Sequence, residues 1–401
     1  MIITKVFLTN LYCFDNTEVD FTFPREVKNS TIPDEYLGDR PTFHFKRICI
    51  LVGANASGKT SFGKALCGIQ YFIKNKRLPD FYLTTGVTDK LKPANFKIEY
   101  VTPSDNRLHF LNVTFSITDG SVSNILTLEY ASIYIRKHDS NQVARKRLHE
   151  VVKNKNQETR NTRYLFVDYQ EDTDEAFLAQ RQFMKMPLVS DEQLGWCYAL
   201  AETHHENKFR PIEIESLNLN ALRKILNTFD PSIANVKELV SLDNDSVTSN
   251  YEIIFTNGDS LLLDKEGEIT KQNRLSRGTY EAIKVAVFYS TMIINGDMTF
   301  YLDEQMAFSH SELEQAMLNL IVDKLGRYGQ FFYTTHNYDI LELNYPVHSY
   351  HFFKKTDDVS ICINALDEFK KNDRSLLNYI KNDAFSILPD TSQIDDLLFE
   401  D

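Results

Sequence analysis

The sequence predicts an α/β fold: a mixed, largely parallel sheet, an antiparallel β meander on its N-terminal side, and a helical insert. Three observations predict it. Residues 47–52 (Arg-Ile-Cys-Ile-Leu-Val) are a short, β-branched apolar run that reads as a strand buried on both faces, followed at once by a glycine-bearing loop and a helical pattern. Beyond Arg274 a helix, a strand, a helix and a strand alternate up to Tyr333, the rhythm of a sheet with crossover helices. Between residues 96 and 135 three alternating stretches separated by turn residues read as a meander.

Taken in order, Ile2, Val6 and Leu8, then Val19, Phe21 and Phe23, mark an antiparallel pair that Pro24 ends. Residues 24–42 carry Pro33, Gly38 and Pro41 and are expected to be irregular. After the buried strand and its helix, strands are expected at 96–101, 108–117 and 125–135. Helices are expected at 174–184, 191–205 and 217–229, broken by Pro187, Pro211 and Pro231. Asn257-Gly258-Asp259 joins 251–256 to 260–263 as a tight hairpin. Residues 389–401 hold five acids and no base, the composition of a mobile or partner-docking tail. The expected division is an N-terminal lobe (1–135), a basic and helical insert (136–245), a C-terminal lobe (246–365), and a C-terminal helix with its acidic tail (366–401).

The 401 residues are 42% hydrophobic and 25% charged, a globular composition that excludes wholesale disorder and fibrous classes. The longest apolar run near the middle, 285–294, contains Tyr289, Ser290 and Thr291 and falls short of the ~18–20 residues a bilayer requires. The first residues read as a strand rather than a leader, so a cytoplasmic protein without a membrane partner is expected. Cys13, Cys49, Cys67, Cys197 and Cys362 are scattered with no Cys-x-x-Cys pair, which points to reduced core thiols. A net charge of −12 disfavours a whole-surface nucleic-acid binder. Against it stands a local basic run: Arg136, Lys137, Arg145, Lys146, Arg147, Lys153, Lys155, Arg160 and Arg163 against Asp139, Glu150 and Glu158, a net of +6.

The chemistry centres on Gly53-Ala54-Asn55-Ala56-Ser57-Gly58-Lys59-Thr60-Ser61, a complete G-x-x-x-x-G-K-T between a strand and a helix. Glycines let backbone N–H groups close around phosphates and the helix N-terminus adds its dipole. Lys59 reaches the β/γ-phosphates, and the Thr60 hydroxyl binds Mg²⁺. A second strand, 298–302, ends in Asp303-Glu304 at the carboxyl end of the sheet, where ligands bind. Asp303 is the expected Mg²⁺ ligand and Glu304 the group that orients and activates water. Leu275-Ser276-Arg277-Gly278 opens a helix, with Ser276 as N-cap and Gly278 freeing N–H groups for an anion. Phe331 to Thr335 reads as a strand ending in His336, 32 residues past Glu304.

In this order and spacing the chain resembles ABC-type ATPases of the SMC, RecF and OLD-like branch, whose signature reads Leu-Ser-x-Gly. Arg277 fills a slot that is often Gly or Ser. The stretch from Leu11 to Phe14 is similar to the Asn-Phe-x-x-Phe opening of that branch, Asn55 matches the Asn of its phosphate loop, and His310 sits where relatives carry a His-Pro. The resemblance implies ATP and Mg²⁺ as ligands, Lys59, Glu304 and His336 as catalytic residues with His336 the switch histidine, and a homodimer of heads. Each ATP would lie between the phosphate loop of one copy and Ser276 and Gly278 of the other. The 215 positions from Thr60 to Leu275 show no heptads, so the chain looks like compact ATPases of bacterial phage-defence systems, PARIS-type first and Septu-type second. Those work with a separately encoded nuclease, and the basic run would meet an acidic phage trigger protein or nucleic acid. The rival is a RecF-like or SMC-like DNA-repair ATPase acting directly on DNA. No HNH or Toprim residues support a self-contained nuclease. His204-His205-Glu206 reads as surface chemistry and Asp243 with Asp245 as no metal site. Gln142, Gln157 and Gln170 stay unranked for the family's Q-loop.

Overall fold

A computed structural model describes residues 1–118, 122–155, 161–190, 194–200, 218–243, 246–264, 269, 277–306, 311–343, 345–369, 376–382 and 387. In chain order the elements are β1 (Ile2–Thr9), β2 (Thr17–Asp20), β3 (Tyr36–Leu37), β4 (Arg40–His44), β5 (Ile48–Val52), α1 (Lys59–Asn75), β6 (Ala94–Thr102), β7 (Arg107–Thr118), β8 (Val122–Tyr134), α2 (Asn141–Asn154), β9 (Thr162–Asp168), α3 (Asp174–Lys185) and β10 (Trp196–Ala199). They continue with α4 (Leu219–Phe229), β11 (Ile233–Asp243), β12 (Ser246–Phe255), β13 (Ser260–Leu263), α5 (Arg277–Ile294), β14 (Thr299–Asp303), α6 (Ser311–Lys324), β15 (Gln330–Thr335), β16 (Tyr350–Thr356), β17 (Val359–Asn364), α7 (Ala365–Glu368) and α8 (Leu376–Lys381).

Two six-stranded sheets organise the chain. The first runs β2-β1-β6-β7-β8-β9, antiparallel throughout. The second runs β10-β14-β15-β5-β16-β17 and is parallel except for β17 at its edge. All five residues of β5 are buried because both faces of this sheet are covered. Ile48, Ile50 and Val52 face a core built with α4, α5 and α6, whereas Cys49 and Leu51 face α1 and the antiparallel sheet. The far side of the antiparallel sheet packs on α2 through Ala144, Leu148 and Val151. Gln330 fastens the two sheets: its side-chain oxygen accepts from Ile3 N at 2.6 Å, and its amide donates to Ile3 O at 2.9 Å and Lys46 O at 3.0 Å.

The mixed, largely parallel architecture is the expected one, the meander and the hairpin are present, and α3 and α4 occupy the stretches expected to hold helices at 174–184 and 217–229, α4 beginning at Leu219. Two local expectations need correction. Residues 196–199, expected within a helix, form β10 beside β14; an aromatic apolar run this short fits a sheet edge covered by α1 and α5 better than a helix face. The irregular 24–42 segment ends in the β3–β4 hairpin. β9 joins the first sheet by pairing with β8. No helix among the described residues is long and apolar enough to cross a membrane. The acidic tail at 389–401, Arg160, Gln157 and the His204-His205-Glu206 run lie outside the described residues.

Candidate nucleotide site

The chain leaves β5 at Val52, turns through residues 53–58 and enters α1 at Lys59. Ala56 (φ 61°) and Gly58 (φ 100°) take left-handed backbone conformations in that turn. A Cβ on Gly58 would lie 2.7 Å from Cys13 Sγ and 3.0 Å from Ser360 Oγ. One on Gly53 would lie 2.4 Å from the Phe353 carbonyl oxygen. The loop is therefore braced by the turn after β1 and by β16 and β17, and both glycines are required sterically. Further along α1, Gly63 lets the helix settle on the Tyr301 ring, which a Cβ would approach to 2.5 Å. The Tyr301 hydroxyl donates to Lys59 O at 2.6 Å, fixing the first turn of the helix to β14. Burial, with Asp303 and Glu304 close by, pushes this phenol well above its ordinary pKa, so it remains a donor.

Lys59 is 4% exposed. Its ammonium donates to Gly53 O at 2.8 Å and Ala54 O at 3.1 Å and pairs with Glu304 Oε1 at 3.0 Å. Asp303 ends β14 fully buried, and its Oδ1 accepts from Thr334 Oγ1 at 2.6 Å. Glu304 leaves the strand in a left-handed conformation (φ 49°), its N–H shared between Thr334 O at 3.2 Å and Thr334 Oγ1 at 3.1 Å. That turn is unusual for a residue other than glycine and swings the carboxylate toward Lys59. His336 Nδ1 lies 3.8 Å from Glu304 Oε2. Lys59, Asp303, Glu304, Thr334 and His336 thus form one network at the carboxyl edge of β5, β14 and β15, the edge where an open parallel sheet offers its ligand crevice.

The loop also fits a phosphate by an observation independent of its motif. The Ser57 hydroxyl is buried with no hydrogen-bond partner, an orphan that a phosphate oxygen would satisfy. The first N–H groups of α1 likewise have no intrahelical acceptor. Asn55 and Ala56 form the exposed rim, and Thr60 and Ser61 stand half-buried at the start of the helix. The Thr60 hydroxyl and the Asp303 carboxylate are hard oxygen donors of the kind Mg²⁺ takes together with substrate phosphates.

Of the signature pair Ser276 and Gly278, the structure describes Gly278. Gly278 is in the first turn of α5, and its neighbour Thr279 donates from Oγ1 to Asp230 Oδ2 at 2.8 Å, tying the start of α5 to the end of α4. Ser276 and His310 lie outside the described residues. Sequence reasoning missed Thr334, Tyr301, Glu314 and Asn337. Thr334 had a signal in the paired threonines before His336; Tyr301 and Glu314 had none, because their role depends on packing between elements distant in sequence.

No protein-family model and no curated protein matches the chain. Among solved structures it aligns with an SMC head bound to the C-terminal winged-helix domain of ScpA, at 13% identity and a TM-score of 0.46, over 95% of this chain and 100% of that one. It aligns with an SMC head domain from Thermotoga maritima at 11% identity and a TM-score of 0.37, over 91% and 99% of the two chains. For an Smc head with a coiled coil and joint from Pyrococcus yayanosii the values are 11%, 0.47, 92% and 100%.

Proposed function

We propose that this chain is an ATP-binding and ATP-hydrolysing switch of the ABC type, working as a head-to-head homodimer that controls a separately encoded nuclease in a bacterial anti-phage system. The observation that carries the ATPase reading is the convergence of Lys59, Asp303, Glu304 and His336 at the mouth of a phosphate loop whose Ser57 hydroxyl lacks a partner. Lys59 and the backbone N–H groups at 57–60 would take the β- and γ-phosphates. Thr60 and Asp303 would hold Mg²⁺, which when bound neutralises phosphate charge. Glu304 would accept a proton from the attacking water, and His336, beside that carboxylate, would contact the γ-phosphate.

The effector part of the proposal is supported by compactness. Among the described residues between α1 and α5 the longest helix is α2, with 14 residues, and the rest is short helices and sheet, so no coiled-coil arm leaves this interval there. A head whose described residues carry no arm would have its output in what its dimer holds. Phosphate release from ATP with Mg²⁺ by the purified chain, compared with Lys59→Ala, tests the first part. Turnover by that variant close to wild type would refute it. Co-purification with the product of an adjacent nuclease gene tests the second, and salt-dependent duplex binding without such a partner would favour the repair reading instead.

A further inference from the structure

The strand that delivers His336 is gripped by a carboxylate outside the nucleotide motifs. Glu314, on α6, is 3% exposed. Its Oε1 accepts from the Tyr333 hydroxyl and, at 3.2 Å, from Thr335 Oγ1; its Oε2 accepts from Asn337 Nδ2 at 2.7 Å. The Asn337 N–H also donates to Thr335 Oγ1 at 3.0 Å, closing the turn around His336. A buried carboxylate is costly unless donors surround it, and here three donors come from residues 333, 335 and 337 of one strand end. The residues between them serve the site: Thr334 donates to Asp303 Oδ1 at 2.6 Å, and His336 faces Glu304.

We propose that Glu314 is a positioning residue that acts through His336, holding the backbone at 335–337 so that the imidazole stays beside the Glu304 carboxylate. The inference rests on the ATPase reading of the site. α6 joins β14 to β15 in sequence, so the acceptor that fixes the His336 turn belongs to the connection that follows the Asp303-Glu304 pair. A neutral amide in place of the carboxylate leaves one acceptor oxygen for three donors, and the turn loses its clamp on one side. A displacement of an ångström or less in a reacting group is enough to slow chemistry by about tenfold or more.

The test is a double-mutant cycle with a separate binding measurement. Glu314→Gln is expected to lower kcat about tenfold while a fluorescent ATP analogue binds within about twofold of wild type, because the phosphate loop is untouched. His336→Ala is expected to lower kcat on its own, and the double variant to be no slower than His336→Ala alone. Asn337→Ala removes one donor without altering the carboxylate and is expected to repeat the pattern more mildly; it decides the matter should Glu314→Gln fail to fold. Multiplicative losses in the double variant, wild-type kcat in Glu314→Gln, or wild-type turnover in His336→Ala would each overturn the proposal. A wild-type chain that binds no ATP overturns the ATPase reading instead, so the two failures are distinct.

Discussion

Glu304→Gln separates nucleotide binding from chemistry, and the structure sets opposite signs for the two. Glu304 Oε1 sits 3.0 Å from Lys59 Nζ, so the carboxylate lies at the position on the ammonium that a phosphate must take. Two unit charges at that distance attract by about 5–6 kcal/mol at an effective dielectric constant of ~20. Glu304 is 26% exposed, and desolvation and side-chain ordering reduce the net worth of such a pair to about 1 kcal/mol. ATP must break the pair and then sit beside the freed carboxylate, a like-charge contact. The amide removes both penalties, so ATP affinity should rise about fivefold or more, since 1.4 kcal/mol is tenfold. Hydrolysis should fall about 10²–10⁴-fold, the usual contribution of a positioned base. Equilibrium titration with a fluorescent ATP analogue and single-turnover phosphate release measure the two effects, and size-exclusion chromatography with ATP and Mg²⁺ should show accumulated dimer. Retained hydrolysis would place the base elsewhere. Weakened binding would show that the carboxylate supports the nucleotide rather than competing with it.

The parts of the site legible in the sequence are those whose function is written in contiguous residues. The loop from Gly53 to Thr60 needs its glycines because Phe353, Cys13 and Ser360 crowd the backbone, and the motif reports that need without naming the neighbours. Asp303-Glu304 ends an apolar run, and His336 ends another, so register alone places them at one edge. Trp196 to Ala199 was illegible because four apolar residues satisfy a strand and a helix equally, and pairing with β14 decided it. Glu314 was illegible for the opposite reason. On a helix one glutamate reads as solvent-facing, and only the docking of α6 against β15 buries it among three donors. The basic run was legible as charge but not as partnership. Two of its arginines are committed to acids at 99, 20 and 139, contacts between positions as far apart as 125 residues.

Further expectations follow from the same contacts. Lys59→Ala should abolish measurable ATP binding or turnover, since it removes the ammonium held at the phosphate loop; isothermal titration and phosphate release check it. Thr334→Val, which removes the 2.6 Å hydrogen bond to Asp303, should raise the Mg²⁺ concentration needed for half-maximal turnover while leaving metal-free nucleotide binding unchanged; a Mg²⁺ titration of activity decides it. Burial, with Arg107 and Arg163 nearby, lowers the His109 pKa to about 3, against 6.5 unfolded. The unfolded chain therefore binds the extra proton, and this contribution is complete above pH 6.5 and lost as pH falls toward 3, by about 1.4 kcal/mol per unit at most. Urea melts of wild type and His109→Gln at pH 6 and pH 5 should diverge by about that amount, and parallel melts would refute the assignment. The basic run yields the last expectation, because its members are not equivalent. Arg145 is half-buried between Asp20 and Glu99, with pairs at 2.5 Å and 2.6 Å, and also donates to Thr4 O at 2.9 Å, so it fastens α2 to β1, β2 and β6. Arg147 pairs with Asp139. Reversing Arg145 to Glu would set a third carboxylate against the buried Glu99 and the half-buried Asp20 and should cost about 3 kcal/mol, the low end of the scale for breaking a buried pair. Lys146 and Lys153 are exposed on the same helix, and Lys146→Glu with Lys153→Glu should change stability by less than about 0.5 kcal/mol and leave ATP turnover intact. If α2 meets an acidic trigger, that double variant should weaken triggering and flatten its salt dependence. Full phage protection by the Lys146/Lys153 variant would mean that the remaining positive charge is a solvated face, with the charge of the run explained by the arginines that hold the fold.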